Sequence, residues 1–221
     1  MKDLVAEFVG TFALVFIITA TIAGTLAFTG SFGALNLIAV ALAAGIVLMA
    51  LVYAFGSISG AHFNPAVTIG LLIAKQFPSS KVIAYLLAQF AGGIAAALVV
   101  WLLTAGATTG ATTVGRFGTI SAGVFEVVAT GLFMLVILLV THKKALAPAH
   151  AGIAIGGYLL VAHLAGIPFS GASLNPARSL GPALLGGGVA LSQVWIYLLA
   201  PTIGAILGAL VFSVFTGKSK D

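Results

Sequence analysis

Two stretches of twelve residues, 59–70 and 170–181, constrain this chain more than any other feature. The first reads Ser59-Gly60-Ala61-His62-Phe63-Asn64-Pro65-Ala66-Val67-Thr68-Ile69-Gly70. The second reads Ser170-Gly171-Ala172-Ser173-Leu174-Asn175-Pro176-Ala177-Arg178-Ser179-Leu180-Gly181. Seven of the twelve paired positions are identical. In each copy an Asn precedes a Pro and an apolar run follows. Asn suits the N-cap, where its side-chain oxygen accepts from a free backbone N–H, and Pro suits the first helical position, where no N–H is needed. Ser-Gly-Ala before each start predicts a loop. Both loops lie in strongly apolar sequence.

That apolar setting decides the class of protein. Of 221 residues, 61% are hydrophobic and 6% charged. A soluble domain of this size needs more polar surface than that. The chain therefore reads as a membrane protein with about six spans of about 20 residues. Non-helical backbone at membrane depth is tolerated only when buried in protein or lining a wet cavity. There is no cysteine, which excludes disulfides and thiolate metal sites, and no cofactor is expected. The formal charge of +5 does not indicate nucleic acid, because the Lys residues sit singly or in pairs at the ends of apolar runs. Glu7 interrupts the first apolar run, which argues against a cleaved signal peptide.

The expected spans are 4–26, 35–55, 82–103, 120–141, 149–167 and 191–215. Gly56 and Ser57 open the first broken loop, and the first half-helix runs from Asn64 to about residue 74. The second loop and half-helix occupy 168–185, ended by Gly186-Gly187-Gly188. The Gly- and Thr-rich segment 105–118 joins two halves of a single domain, 4–104 and 119–216. The halves match beyond the loops. Glu7 and Thr11 correspond to Glu126 and Thr130, and Tyr85-Leu86-Leu87-Ala88 to Tyr197-Leu198-Leu199-Ala200. Three spans per half is an odd number, so the halves form an inverted repeat. All seven Lys (2, 75, 81, 143, 144, 218 and 220) then fall on one side with both termini, and only Arg116 and Arg178 on the other. The positive-inside rule makes the Lys side cytoplasmic.

The paired stretches resemble the two Asn-Pro-Ala signatures of the aquaporin family, the major intrinsic proteins. The resemblance covers about residues 5–215. It implies an all-α membrane fold of six spans and two re-entrant half-helices, a homotetramer with one pore per protomer, and a passive channel in the cell membrane. In that arrangement the half-helices enter from opposite faces. Their N-termini, each carrying about half a positive charge, converge near the midplane. Asn64 and Asn175 stand at the meeting point as donors, and Pro65, Ala66, Pro176 and Ala177 complete the motifs. Extended loops, Gly60-Ala61-His62 and Gly171-Ala172-Ser173, offer carbonyls along the lumen. At an effective dielectric of about 20 and about 8 Å, each half-charge opposes a cation by roughly 1 kcal/mol. Lost hydration adds several more. Barriers of this kind are general to aquaporin-type pores.

An Arg at membrane depth costs about 2.5–3.5 kcal/mol on insertion scales, so Arg178 should face a cavity or a partner. The resemblance places Arg178 in a selectivity filter with His163, Ala172 and Ala44. The family's water-specific pattern has an aromatic residue at the position of Ala44. Its glycerol pattern has aromatics at two filter positions and a small residue where His163 stands. This chain matches neither. A polar filter widened by Ala44 and Ala172 suits water together with small neutral solutes such as ammonia, urea, glycerol or uncharged metalloid acids. Ser179 and Ala183 resemble the water-channel branch, Leu198 the glycerol branch.

Glu7 and Glu126 read either as a proton relay or as acceptors for backbone N–H groups of the broken loops. Their symmetric placement favours the second reading, and the resemblance implies it. His62 is placed at the cytoplasmic mouth; His142 and His150 at the cytoplasmic interface. No metal-ligand spacing, nucleophile elbow or phosphate loop is present, so the chain does not read as an enzyme. The rivals are an ion-coupled secondary transporter, which would need Glu7 or Glu126 for coupling, and a structural membrane protein that barely conducts.

Overall fold

The computed structural model describes residues 1–143 and 145–217. Lys144, Lys218 and Lys220, counted above as orientation signals, lie outside the described residues. Among the described residues the fold is entirely helical. Eight α-helices follow in order: α1 (Lys2–Thr29), α2 (Ala34–Ser59), α3 (Pro65–Ile73), α4 (Ser79–Leu103), α5 (Gly118–Thr141), α6 (Ala151–Ser170), α7 (Pro176–Gly186) and α8 (Gly188–Thr216). A 3₁₀ turn, Pro148–His150, precedes α6. Six of these, α1, α2, α4, α5, α6 (with its 3₁₀ turn) and α8, are long and apolar enough to cross a membrane. The two short helices, α3 and α7, start at the two Asn-Pro pairs, as expected.

The helix ends depart from the sequence expectation in a consistent way. Residues 56–59 continue α2, and residues 168–170 continue α6. The loops open one turn later than Gly56 and Pro168 suggested. Pro168 falls in the last turn of this 20-residue helix, two residues before its end. What ends each helix is glycine in the left-handed region, Gly60 at φ 88° and Gly171 at φ 71°. The N–H groups of these glycines close the last turns on the carbonyls of Gly56 and Ile167.

Packing follows the small residues. α1 lies on α4, α2 on α6, and α5 on α8, while α3 and α7 are held inside the ring. Without a hydrophobic driving force between lipid-bathed helices, close backbone approach has to supply the attraction. A methyl group on Gly45 would meet the Gly156 carbonyl 2.6 Å away. One on Gly93 of α4 would run into the Ala177 carbonyl of α7, and one on Gly181 into the Gly93 carbonyl. Gly92, Gly204 and Gly208 pack in the same way against the carbonyls of Phe8, Val127 and Gly131. The large apolar side chains that remain exposed, such as Ile83, Leu87, Ile120, Leu199 and Leu207, coat the outside of the ring.

Candidate functional site

The two loops meet at the centre through their Asn residues. Asn64 caps α3 by accepting from Ala66 N at 2.9 Å, and Asn175 caps α7 by accepting from Ala177 N at 2.9 Å and Arg178 N at 3.3 Å. Each carboxamide also crosses to the other loop. Asn64 Nδ2 donates to Leu174 O at 2.7 Å, and Asn175 Nδ2 donates to Phe63 O at 2.9 Å. An NH₂ group has two protons, so each Asn keeps one for a further partner. Simple capping would use only the oxygens. The crossed pairing holds the two helix N-termini against each other. Pro65, Ala66, Pro176 and Ala177 form the buried first turns behind the Asn side chains.

Two cavities share Arg178, and the first of them reaches this centre. The first, of about 400 Å³, is lined by Asn64, Asn175, His163, Ser173 and Arg178, by Gly60, Ala61 and His62, and by apolar side chains. It extends to Gln76, Thr141 and Ala151. The second, of about 310 Å³, is lined by Arg178, Gly171, Val40 and Phe32 and by residues 108 and 110–115 of the long loop. Arg178 belongs to both. The helices line them in stripes at four-residue intervals, about one turn apart on one face. On α6 the stripe is Ala151, Ile155, Leu159 and His163 in the first cavity, then Ile167 in the second. On α1 it is Leu14 and Ile18, then Ile22 and Leu26. On α2 it is Gly56, Val52 and Leu48, then Val40.

Ala44 falls in the gap of the α2 stripe, four residues from Leu48 and four from Val40. It is fully buried and lines neither cavity. Ala172 is likewise fully buried, between Gly171 in the second cavity and Ser173 in the first. Of the four residues singled out from sequence, Arg178 lines both cavities and His163 the first, while Ala44 and Ala172 are buried and line neither.

The polar atoms of His163 and Arg178 are unusual for a buried site. His163 Nδ1 is 2.9 Å from Leu159 O. A carbonyl only accepts, so Nδ1 carries the proton and Nε2 is an acceptor. His163 Nε2 is buried without a protein partner, and so is Arg178 Nε. Arg178 Nη1 donates to Thr112 Oγ1 at 2.6 Å and to Gly110 O at 3.4 Å. The guanidinium is therefore tethered at one end, with a free donor at Nε.

Behind the loops stand the two carboxylates, both fully buried. Glu7 accepts from Ser59 Oγ at 2.7 Å, His62 N at 3.0 Å, Phe63 N at 2.7 Å and Gln89 Nε2 at 2.8 Å. Glu126 accepts from Ser170 Oγ, Ser173 N and Leu174 N, each at 2.7 Å. Tyr85 and Tyr197 donate their hydroxyls to the Ser59 and Ser170 carbonyls at 2.9 and 2.8 Å. The loops are not simply extended, as expected from sequence. Ala61, Phe63, Ala172 and Leu174 all have φ between 50° and 53°. His62 lines the first cavity, with Nδ1 3.0 Å from Thr68 Oγ1 and its ring against Phe77 and Tyr85.

Sequence reasoning missed the loop 105–118, read there only as a connection. Gly110 and Thr112 hold Arg178. The loop itself is clamped: Thr109 Oγ1 donates to Pro182 O, Val114 N to Gln193 Oε1, Gly115 N to Phe169 O and Arg116 N to Pro168 O. Its Gly and Thr content was a sign of polarity without a period, which does not say what the loop folds onto.

Comparison with known proteins agrees along almost the whole chain. The family model described as major intrinsic protein matches residues 1–212. The chain is 40% identical to a protein named aquaporin Z from Rhodopseudomonas palustris, over 96% of this chain and 92% of that one. It is 41% identical to a glycerol uptake facilitator protein-like 6 from Lactiplantibacillus plantarum, over 95% of both chains. The crystal structure of the aquaglyceroporin from Plasmodium falciparum superposes with a TM-score of 0.85 over 96% of this chain and 94% of that one, at 24% identity, a likeness that speaks for the fold. With crossed half-helices at its centre and a match over nearly all its length, the chain belongs to the major intrinsic protein family.

Proposed function

We propose that this membrane channel passes water together with small neutral solutes through the level of Ala44, His163, Ala172 and Arg178. As a member of its family the chain is a channel for water, glycerol-type solutes or both, and not an enzyme. The observation that carries the finer reading is the adjoining of two cavities at Arg178, beside an imidazole with a free acceptor. A neutral solute with a hydroxyl or amide meets the guanidinium of Arg178 and the imidazole of His163, both of which line the first cavity. A cation finds a fixed positive charge and two helix N-termini. The alanines leave width that a large side chain would fill. Relatives at similar identity carry both an aquaporin and a glycerol-facilitator name, in keeping with a filter between the two patterns.

The same reading makes residues 4–104 and 119–216 an inverted repeat, with Asn64 and Asn175 as its two pore signatures. The carbonyls of 60–62 and 171–173 form the polar rail of the lumen. The Lys-bearing side with both termini faces the cytoplasm, the membrane is the cell membrane, and four copies assemble with one pore each. Glu7 and Glu126 support the loops. The test is light-scattering flux in proteoliposomes, comparing water, glycerol and urea for the native chain and Arg178→Val. Fast water flux with measurable solute flux, and a solute-to-water ratio raised by the substitution, is the expected result. An unchanged permeability spectrum in Arg178→Val places the constriction elsewhere.

A further inference from the structure

We infer that Thr112, on the loop between α4 and α5, is a positioning residue that fixes the Arg178 guanidinium through a directed chain of hydroxyls reaching the second pore Asn. The chain runs Thr112 Oγ1, Ser179 Oγ, Ser173 Oγ, with 2.7 Å at each step. Its proton order follows from counting. A hydroxyl has one proton and two lone pairs. Ser173 gives its proton to Asn175 O at 2.9 Å, so in its contact with Ser179 it accepts. Ser179 has then spent its proton, so in its contact with Thr112 it accepts as well. Thr112 has spent its own on Ser179 and turns only lone pairs toward Arg178 Nη1, 2.6 Å away.

The other end imposes the same order. A guanidinium only donates, so Thr112 must accept there. Both ends of the chain agree on one direction, and every member is buried. The remaining tether of Nη1, to Gly110 O, is long at 3.4 Å. Thr112 therefore carries most of the hold, and it is itself held by the clamps that bind the loop to α6, α7 and α8. Arg178 Nε stays buried without a partner of its own, so nothing else on the guanidinium competes with this hold. The serine two residues before the second Asn and the serine after the Arg are read here as parts of one device, with a threonine 66 residues away in sequence from the Arg.

The inference rests on Arg178 standing at the constriction, and the experiment separates the two. Water and urea flux are measured in proteoliposomes for the native chain and for Thr112→Val, Thr112→Ser, Ser179→Ala and Arg178→Val. Thr112→Val is nearly isosteric and removes the acceptor. Losing a hydrogen bond to a charged group raises the population of a displaced guanidinium about tenfold. The urea-to-water ratio should therefore rise several-fold toward that of Arg178→Val, while Thr112→Ser stays within about twofold of the native ratio. Ser179→Ala breaks the chain without touching the loop and should move the ratio in the same direction. It decides the matter if Thr112→Val yields no folded protein. If Arg178→Val shifts the ratio but neither Thr112→Val nor Ser179→Ala does, the positioning role is wrong. If Arg178→Val shifts nothing, the constriction itself is misplaced and the inference falls with it.

Discussion

The two buried carboxylates should respond unequally to the same substitution. Replacing Glu by Gln keeps the shape but turns one acceptor oxygen into an NH₂ donor. At Glu126 every neighbour is a donor: Ser170 Oγ, Ser173 N and Leu174 N. If the NH₂ takes the Oε2 place, it faces the Leu174 N–H and both are stranded. If it takes the Oε1 place, it strands the Ser173 N–H, and the Ser170 hydroxyl loses its acceptor. Either way two donors go unmet. Each costs about 1–3 kcal/mol in a buried site, giving about 2–6 kcal/mol. At Glu7 the same change strands the Phe63 N–H, but Gln89 offers relief. Its Nε2 donates to both Glu7 Oε2 and Thr68 Oγ1, while its Oε1 has no partner. Turning the Gln89 amide over presents Oε1 to the new NH₂, and the Thr68 hydroxyl can rotate to donate to it, giving up a 3.2 Å bond to Asn64 O. The Phe63 N–H and the turned Gln89 NH₂ then go unmet, against the Gln89 Oε1 alone in the native chain, a net loss of one group at about 1–3 kcal/mol. On α8 the residue four after Tyr197 is Pro201, where α4 has Gln89 four after Tyr85, so no such relief exists for Glu126. Thermal unfolding in detergent, read by the fluorescence of Trp101 and Trp195, compares the two. The midpoint should fall further for Glu126→Gln, by about 2–4 °C for each kcal/mol of difference. A midpoint for Glu7→Gln as low as that of Glu126→Gln, or lower, refutes this count of unmet groups.

Ala44→Phe places a ring where the α1, α2 and α6 stripes pass from one cavity to the other; solute flux should fall several-fold more than water flux in the same vesicles, and equal losses would remove Ala44 from the constriction. Gly93→Ala drives a methyl into the Ala177 carbonyl and pushes on the first turn of α7, so unfolding should come earlier by about 1–3 kcal/mol. Gly123→Ala, whose methyl meets nothing within 4 Å, is the matched control and should be neutral or stabilising by up to about 1 kcal/mol.

What could be read from the chain alone was whatever local chemistry forces. An Asn before a Pro caps a helix wherever it occurs, so α3 and α7 were legible to within a residue or two. A carboxylate at membrane depth needs donors, and the broken loops have N–H groups to spare, so the hydrogen bonds from these loops to Glu7 and Glu126 were legible as well. Helix ends were not, because Gly56 and Pro168 are breakers that a long helix absorbs in its last turn. Thr112 was invisible for a different reason. Its partner lies 66 residues away, and no spacing rule links a loop threonine to an Arg at the start of a half-helix. The left-handed residues were invisible too. Ala, Phe and Leu do not signal a positive φ as Gly does.

Those left-handed residues bear on what the carboxylates can do. Ala61, Phe63, Ala172 and Leu174 each hold a conformation that costs of order 1–3 kcal/mol and persists only where the surroundings impose it. The reward is directional. With the N–H groups of residues 62 and 63 turned onto Glu7, and those of 173 and 174 onto Glu126, the carbonyls of the same segments are left for the other side. Hydrogen bonds from backbone donors to an ionised acceptor contribute about 1.5–3 kcal/mol each, the same order as the strain they hold. They do so only while the carboxylate is ionised. Protonating Glu126 would put an O–H against a site made entirely of donors and release the loop that carries Asn175. A group that shuttles protons must change its protonation state once per cycle. Proton coupling and loop support therefore compete for the same lone pairs, and the donors around both residues weigh on the side of support.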